Sequence, residues 1–245
     1  MDNGTIFGIR AVIEAVEAGR EIDKLLIKKD LQGDLSKELF NAIKGRGIPV
    51  QRVPVERLNR ITRKNHQGVI AFTTEITYQH IDNLVPTLFE EGRNPFVILL
   101  DGITDVRNFG AIARTAECAA ADAIIIPMHN SVGANADAVK TSAGALHTIP
   151  VCRESRIDGT IKYLKDCGFH IVGATEKGET SYTQGNYKDP VCLIMGAEDN
   201  GIPEEHLRLC DEWVRIPILG KIESLNVSVA AGVLIYEIVR QRAGE

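Results

Sequence analysis

Short runs of apolar residues alternate with stretches of helical periodicity from Pro95 onward. Continuous apolar runs are typical of strands that are covered on both faces, and strands that alternate with helices form parallel sheets. The pattern therefore predicts an α/β fold with a mostly parallel sheet. Its predicted strands are Phe96–Leu100, Ala123–Ile126, His147–Val151, His170–Gly173, Val191–Met195 and Trp213–Ile218.

A smaller α/β unit is predicted before this region. Helical spacing marks one helix from Ile9 to Val16 and a second from Leu35 to Ile43. Three short apolar runs indicate strands, namely Leu25–Ile27, Val50–Val53 and Gly68–Phe72. We therefore divide the chain into a domain over residues 1–75, a linker with a short helix over 76–94 and a larger domain over 95–245.

Polar side chains interrupt the apolar pattern after three of the predicted strands. These interruptions are Asn108 with Arg114, the segment Gly196–Gly201 with Glu198 inside it, and the segment Glu223–Asn226. Ligands of open parallel sheets bind beside the carboxyl ends of the strands. Because polar groups are costly to bury without partners, the three interruptions together indicate a site for a small polar ligand.

Each interruption also has a purely structural explanation. Asn108, Ser224 or Asn226 can cap the helix that follows it, and Arg114 can form a structural ion pair. Glu198 can be a surface acid in a tight glycine turn. Ser224 and Asn226, taken together with the preceding acid, exceed what a single helix cap needs.

The net charge of -5 does not indicate a nucleic-acid binder, but the distribution of the charge does. Between residues 44 and 64 the only acid is Glu56. A local cationic face can contact phosphates, although a merely solvated charged face explains the same pattern equally well. The basic residues of this segment are Lys44, Arg46, Arg52, Arg57, Arg60, Arg63 and Lys64.

Other features of the sequence exclude several classes of protein. No apolar run approaches the ~20 residues of a membrane span, and the first residues lack the pattern of a signal peptide. We therefore expect a cytoplasmic protein with no membrane partner. The five cysteines are widely spaced and contain no CxxC pair, so neither disulfides nor a zinc site is predicted. The scattered histidines offer no ligand set, and we expect no metal.

The order and spacing of the three interruptions resemble the three motifs of the SpoU-type (SPOUT superfamily, TrmH-like) RNA 2′-O-ribose methyltransferases, over residues 96–242. The first domain is similar to that family's substrate-binding domain, an L30e-like RNA-binding fold, in Phe7–Val12 and Asn65–Val69. Within the family, the chain most resembles the subgroup that methylates a guanosine ribose in large-subunit (23S) ribosomal RNA.

This resemblance implies a fold and a methyl donor. In the family, the C-terminal segment of the parallel sheet domain forms a deep trefoil knot in which S-adenosylmethionine binds. The GxGxxG fingerprint and the P-loop are absent from the sequence, so no competing nucleotide motif is present. The residues expected to contact S-adenosylmethionine are Thr175, Glu176, Gly196, Gly201, Ile216, Leu219, Ser224 and Leu225.

The reaction that the resemblance implies is methyl transfer to a ribose 2′-hydroxyl. Arg114 matches the family's catalytic arginine. Since arginine stays protonated below pH ~12, we expect Arg114 to bind the adjacent phosphate and stabilise the developing alkoxide. The proton acceptor stays open between that phosphate, water and an unusually perturbed Arg114. Asn108, Glu198, Ser224 and Asn226 are expected to position the arginine and the ribose.

The resemblance also implies contact with RNA and a homodimer whose active sites lie near the interface of the catalytic domains. The residues expected to contact RNA are Arg10, Arg57, Arg60, Arg63, Lys64 and His66. The sequence departs from the family at Asp105-Val-Arg107, where Pro-His or Pro-Gln is frequent. Arg107 can add a phosphate contact or change the local geometry.

Two other functions remain open on the same fold. The first is methylation of transfer RNA. The separate first domain argues against it and favours ribosomal RNA as the substrate. The second is a role as a non-catalytic RNA-binding assembly factor. The retention of all the motif residues argues against this role. A small-molecule α/β enzyme is disfavoured by the basic segment between residues 44 and 64.

Overall fold

The computed structural model describes residues 4–244, and the chain forms two compact units. The first unit comprises the residues up to Thr77 together with Gly133–Ala136. The second comprises Tyr78–Val132 and the residues from Asp137 onward. Each unit has its own sheet and its own buried core.

A four-stranded sheet forms the centre of the first unit, with strand order β1-β4-β2-β3. Strands β2 and β3 are parallel, whereas the other neighbouring strands are antiparallel. The three predicted strands are present, and a further short strand, β1, precedes them. The elements are β1 (Thr5–Phe7), α1 (Ile9–Glu17), β2 (Ile22–Lys28), α2 (Asp34–Ile43), β3 (Val50–Val53), α3 (Val55–Ile61) and β4 (Val69–Thr73).

Both faces of this small sheet are covered by helices. Successive side chains of a strand point to opposite faces. Leu25 and Ile27 of β2 therefore pack in one cluster with Leu39 of α2, while Leu26 packs in another with Leu58 of α3. Burial on both faces explains why β2 has a continuous apolar run and no alternation with polar residues.

Seven parallel strands form the sheet of the second unit, in the order β7-β6-β5-β10-β8-β11-β9. This confirms the predicted α/β fold with a mostly parallel sheet. The elements are α4 (Ile81–Glu90), β5 (Phe96–Asp101), α5 (Val106–Cys118), β6 (Ala123–Pro127), α6 (Ala136–Thr141), β7 (Val151–Glu154), α7 (Ile157–Asp166), β8 (His170–Ala174), β9 (Thr180–Ser181), β10 (Val191–Gly196), α8 (Glu204–Leu207), β11 (Glu212–Arg215) and α9 (Val227–Ala243).

Two of the predicted strands have wrong limits. His147 belongs to a 3-10 turn, Ala145–His147, so the strand predicted from this residue begins only at Val151. The strand predicted over Trp213–Ile218 ends at Arg215. The residues that follow Arg215 pair with no strand, and Pro217 has no N–H to donate to a neighbouring strand.

The order of the strands reverses between β5 and β10. From β5 the chain runs outward through β6 and β7 on one side, and β8, β11 and β9 lie on the other side. Strands β5 and β10 are neighbours in register, and their last residues, Asp101 and Gly196, face each other. Ligands of open α/β sheets bind at such a reversal, beside the carboxyl ends of the strands.

Helix α9 is the longest helix between residues 4 and 244, with 17 residues. Its last turn is fixed to the sheet by Arg242, whose guanidinium donates hydrogen bonds to four backbone carbonyls, those of Asn94, Pro95, Tyr187 and Asp189. No helix in the described part of the chain is long and apolar enough to cross a membrane.

Candidate active site

Asp105, and not Asn108, caps helix α5. The Oδ1 atom of Asp105 accepts hydrogen bonds from the backbone N–H groups of Arg107 and Asn108, at 2.8 and 2.9 Å. An acidic side chain at this position satisfies free N–H groups of the first helical turn. The capping role considered for Asn108 is therefore filled three residues earlier, and its side chain amide is available for other contacts.

The three polar interruptions of the sequence meet at the carboxyl ends of β5 and β10. The Nδ2 atom of Asn108 donates to Oε1 of Glu198 at 2.7 Å. The Nδ2 atom of Asn226 donates to Oδ1 of Asn108 and to Oε1 of Glu198, both at 3.0 Å. These bonds join residues that are 90, 118 and 28 positions apart in the chain. We call these three residues the amide–carboxylate cluster.

Asn226 is a helix cap and a member of the cluster at once. Its Oδ1 atom accepts from the backbone N–H of Ser228 at 3.0 Å and from the Ser228 hydroxyl at 2.6 Å. Its Nδ2 atom faces Asn108 and Glu198. The cap thus fixes the orientation of the amide, because the oxygen and the nitrogen have different partners.

A tight glycine hairpin presents Glu198 to the cluster. Gly196 is the buried last residue of β10, and a Cβ atom there would lie 2.2 Å from the carbonyl carbon of Gly201. Ala197 and Gly201 exchange two backbone hydrogen bonds, at 3.2 and 2.9 Å. Gly201 itself has φ 65°, which favours glycine. A side chain at Gly196 would therefore move the backbone that carries Glu198, and one at Gly201 would strain it.

Arg114 lies exposed on helix α5, six residues beyond Asn108. Within residues 4–244 its guanidinium has neither a hydrogen-bond partner nor an ion-pair partner. The structural ion pair considered from the sequence is therefore not formed in this part of the chain. Arginine is well suited to bind phosphate, because its planar group offers several donors at once.

The loop between β11 and α9 contains most of the remaining predicted ligand contacts. Ser224 is exposed, and its hydroxyl has no partner among the described residues. Leu219 is 97% exposed and Leu225 is 40% exposed, while Ile216 is half-buried. Apolar side chains of this size are rarely left in water together without a partner.

Thr175 and Glu176 follow the end of β8. The backbone N–H of Thr175 donates to the carbonyl of Val214 in β11, and its hydroxyl accepts from the N–H of Lys177. Glu176 is exposed. The carboxyl ends of β5, β8 and β10 therefore carry, respectively, the motifs of Asn108, Thr175 and Glu198.

A buried acid and histidine at the carboxyl end of β5 were missed from the sequence. Oδ2 of Asp101 lies 2.6 Å from Nδ1 of His206, and the two residues are 6% and 9% exposed. Asp101 ends β5, and His206 lies on the short helix α8. The pair is 105 positions apart in sequence, and no motif or periodicity pointed to His206.

The thiols of two cysteines in the second unit have raised pKa values. Burial raises the pKa of the Cys152 and Cys210 thiols to about 12, so both are protonated near neutral pH. Between residues 4 and 244, no three histidine, cysteine or acidic side chains come together as a group that could hold a metal ion.

The basic segment of the first unit divides into two kinds of residue. Arg46 donates to the carbonyl of Val16 at 2.7 Å, and Arg52 donates to that of Lys29 at 3.1 Å, so both have structural partners. The predicted RNA contacts on and after α3 are different: they are exposed and make no hydrogen bond or ion pair within the described chain. These are Arg57, Arg60 and Arg63.

The other three predicted RNA contacts differ in exposure. Arg10 is exposed on α1. The Nζ atom of Lys64, also exposed, lies 4.8 Å from the centre of the Phe7 ring. His66 is only 8% exposed, and both of its ring nitrogens have partners in the protein. A direct contact with RNA is therefore easier for the first two residues than for His66.

An open parallel sheet with polar side chains gathered at the carboxyl ends of its strands is the architecture of α/β proteins that bind a ligand at this edge. Residues 95–236 match the model of the SpoU rRNA methylase family, and residues 5–79 match that of the RNA 2′-O ribose methyltransferase substrate-binding domain. The chain belongs to the SpoU rRNA methylase family. It is an RNA methyltransferase, as the resemblance of its motifs predicted.

Individual relatives agree with this assignment. The chain is 32% identical over 237 residues to the "Putative TrmH family tRNA/rRNA methyltransferase YacO" of Bacillus subtilis, with 97% of this chain and 95% of that protein covered. An AdoMet-bound rRNA methyltransferase from Sinorhizobium meliloti is 27% identical, with a TM-score of 0.63 and coverage of 98% and 87%. The SpoU methyltransferase AviRb from Streptomyces viridochromogenes, in complex with AdoMet, is 25% identical, with a TM-score of 0.61 and coverage of 98% and 90%.

Proposed function

We propose that the protein transfers a methyl group from S-adenosylmethionine to the ribose 2′-hydroxyl of a guanosine in 23S ribosomal RNA. The observation that carries this proposal is the amide–carboxylate cluster, whose member Asn108 lies on the same helix, α5, as Arg114, an arginine without a partner between residues 4 and 244. Two amides and a carboxylate fix one another, while Arg114 is left available for a substrate phosphate.

The roles of these residues follow from their chemistry. A ribose hydroxyl is a poor nucleophile and must lose its proton on or before attack. Arg114 holds the neighbouring phosphate and stabilises the negative charge that develops on the oxygen. The cluster positions the ribose, with Ser224 as a further exposed hydroxyl on the preceding loop. The positioning of the oxygen is the main demand of this reaction.

The residues at the strand ends fit S-adenosylmethionine, which supplies an electrophilic methyl group on sulfonium sulfur. The donor has an apolar purine face and polar ends. Leu219 and Leu225 supply exposed apolar surface, while the turns at Thr175 and Gly196 supply backbone groups. The two solved relatives with AdoMet support the same donor. We infer that Glu176, Gly201, Ile216 and Ser224 complete its binding site.

We assign RNA binding to residues 1–75, catalysis to residues 95–245 and the connection to residues 76–94. The match of residues 5–79 to a substrate-binding domain supports the first assignment, as do the arginines of α3, which have no partner among the described residues. A ribosomal RNA substrate implies action in the cytoplasm. The tRNA/rRNA name of the Bacillus subtilis relative keeps transfer RNA as the alternative substrate.

We further infer a homodimer and a trefoil knot in the second unit. Val229 and Tyr236 of α9 are 52% and 53% exposed, which suits burial against a second copy. Light scattering of the full chain should give twice the monomer mass.

The return of α9 to the start of β5 and β10 through Arg242 suits a threaded chain. Stretching one molecule should leave a contour shorter than that of an unknotted chain.

One experiment tests the reaction and its target. The full chain is incubated with methyl-labelled S-adenosylmethionine and with unmodified ribosomal or transfer RNA, and the labelled nucleotide is mapped. We expect label on a guanosine ribose of 23S ribosomal RNA. Label on a base would overturn the ribose assignment, label confined to transfer RNA would establish the alternative, and no label in any RNA would contradict the proposed activity.

A further inference from the structure

The buried pair of Asp101 and His206 lies outside the amide–carboxylate cluster, and the proposed reaction does not use it. Oδ2 of Asp101 is 2.6 Å from Nδ1 of His206. Because an ionised carboxylate can only accept, Nδ1 carries the proton and donates it to this bond. A distance this short is typical of hydrogen bonds to a charged group. The bond joins the end of β5 to helix α8.

The surroundings of this pair are apolar. Side chains alternate along a strand, so Asp101 faces the same side of the sheet as Val97 and Leu99. These two residues pack in one core cluster with Leu207, the neighbour of His206 on α8. An apolar pair of similar volume would stabilise such a layer as well as a polar pair does. The polar pair adds direction, because a hydrogen bond fixes two atoms at one distance and angle.

The short connection from Asp101 to Asn108 is held in place along its length. Ile103 is 3% exposed, and its carbonyl accepts from the N–H of Val132 at 2.9 Å. Asp105 then caps α5 through two backbone N–H groups. A shift at the end of β5 is therefore passed on to the first turn of α5, where Asn108 lies.

The connection from Glu198 to His206 is equally short and equally well held. Ile202 follows the glycine hairpin and is 4% exposed. The carbonyl of Pro203 accepts from the N–H groups of His206 and Leu207, both at 2.9 Å. Helix α8 and the hairpin are thus joined closely, and the bond between His206 and Asp101 is a directional link from both of them to β5.

We propose that His206 is a positioning residue for methyl transfer, and that its bond to Asp101 holds the hairpin so that Glu198 meets Asn108. Two bonds then connect the same two segments of chain. Asn108 donates to Glu198 at 2.7 Å, and His206 donates to Asp101 at 2.6 Å. Loss of the second bond leaves the first free to lengthen. The proposal rests on the proposed function in taking the amide–carboxylate cluster as part of the active site.

Two amide substitutions of His206 separate the position of the donor from mere polarity. Nδ2 of asparagine lies as many bonds from Cα as Nδ1 of histidine does, so His206→Asn keeps a donor for Asp101. His206→Gln places its amide one bond farther out and loses that donor. With saturating S-adenosylmethionine and RNA, we expect kcat to fall about tenfold in His206→Gln and to stay within about twofold of the wild-type value in His206→Asn.

A second histidine in the same unit provides the matched control. Nε2 of His170 lies 3.2 Å from Oε2 of Glu212, at the start of β8 and therefore at the amino end of the sheet. His170→Asn shortens the side chain and removes this contact with a carboxylate. Since His170 does not hold the hairpin, this variant should leave kcat unchanged.

Action through Glu198 predicts a particular result in a double variant. In a Glu198→Ala background, His206→Gln should lower kcat no further, because the side chain that it positions is gone. A purely structural role would give the same fold loss in both backgrounds. Thermal unfolding shows which variants are folded. If His206→Gln is not, Asp101→Asn takes its place, with about a threefold loss of kcat because a neutral acceptor is weaker.

Amide hydrogen exchange gives a readout that needs neither RNA nor methyl donor. The N–H of Gly201 donates to the carbonyl of Ala197 at 2.9 Å inside the hairpin. It should exchange faster in His206→Gln than in the wild-type protein or in His206→Asn. Unchanged exchange would overturn the proposal.

The kinetic measurements can overturn it as well. They would do so by a wild-type kcat in His206→Gln, by an equal loss in His206→Asn or His170→Asn, or by the same fold loss in the Glu198→Ala background. The two hypotheses fail separately. Methylation that is insensitive to His206 rejects the positioning role alone, whereas faster exchange in a protein that methylates no RNA rejects the proposed reaction and leaves His206 as the residue that holds the hairpin.

Discussion

The amide–carboxylate cluster and the arginines of α3 are both polar surfaces proposed to meet RNA, but they are built differently. Asn108, Glu198 and Asn226 hold one another through three hydrogen bonds of 2.7 to 3.0 Å. The arginines of α3 are exposed and have no partner within the described residues. Directional bonds fix the position of a group, whereas exposed charges act at a distance and in any orientation.

This difference predicts different responses to mutation. A change within a positioned site should remove a large part of the activity at once, because geometry controls the barrier. A change on an exposed cationic face should remove a small, additive part of the affinity. The following variants can break this contrast or sharpen it.

Arg114→Ala should have the largest effect. We expect methyl transfer to fall by about a thousandfold or more, since charge stabilisation in the transition state is lost. Stability should change by less than ~0.5 kcal/mol, because the exposed guanidinium has no partner in residues 4–244. Single-turnover transfer of labelled methyl groups and thermal unfolding measure the two effects. A normal rate in this variant would show that Arg114 is not catalytic.

Removal of a side chain from the amide–carboxylate cluster should have the second-largest effect on methyl transfer. Glu198→Ala leaves both amides without their shared acceptor, and a loss of positioning of this kind costs about a hundredfold in kcat. Asp199→Asn is the matched control, because Asp199 is the next residue of the same hairpin, is exposed and has no side-chain bond in the described chain. Steady-state kinetics compare the two. Similar kcat values for both variants would mean that the cluster does not position the substrate.

Neutralising the cationic face on and just after α3 should produce a graded effect. Replacement of Arg57, Arg60 and Arg63 by glutamine should weaken RNA binding and lower the slope of log affinity against log salt by about 2 to 3. The triple replacement by lysine keeps the charges and should keep the slope. Titrations at several salt concentrations measure it. If the glutamine variant binds with unchanged affinity and slope, this face lies outside the RNA interface.

Strands buried on both faces could be predicted well from the sequence, and the ends of elements could not. The apolar runs of β5 and β10 are continuous, so their position is determined locally. Strand β1 has three half-buried residues and depends on pairing with β4, from Thr5 to Phe72 at its start. The strand predicted from His147 failed because a buried residue in a turn, Ile149, has the same apolarity as one in a strand.

The residues of the site could be predicted from the sequence, but the hydrogen bonds between them could not. Asn108, Glu198 and Asn226 stand out as polar residues after apolar strands, and the family resemblance adds their roles. Their mutual hydrogen bonds depend on the neighbouring positions of β5 and β10, which periodicity does not contain. His206 had no signal at all, because its partner Asp101 is supplied by the tertiary fold.

The smallest effect is expected away from the chemistry, on α9, the helix that supplies Asn226. Hydrogen bonds from Arg240 lower the pKa of the buried Glu237 below its ordinary value of 4.5, although burial opposes them. Because the folded-state pKa is the lower one, this stabilisation is present above pH 4.5 and is lost as the pH falls through the lowered pKa.

Glu237→Gln should therefore lower the free energy of unfolding by about 1 kcal/mol at neutral pH, and the deficit should shrink in acid. Urea denaturation at both pH values measures it. Arg60→Gln on α3 changes an exposed side chain that has no partner between residues 4 and 244, and it should leave the free energy of unfolding unchanged at either pH. An equal loss in both variants would contradict the contrast, since fixed contacts would then matter no more to stability than solvated charges.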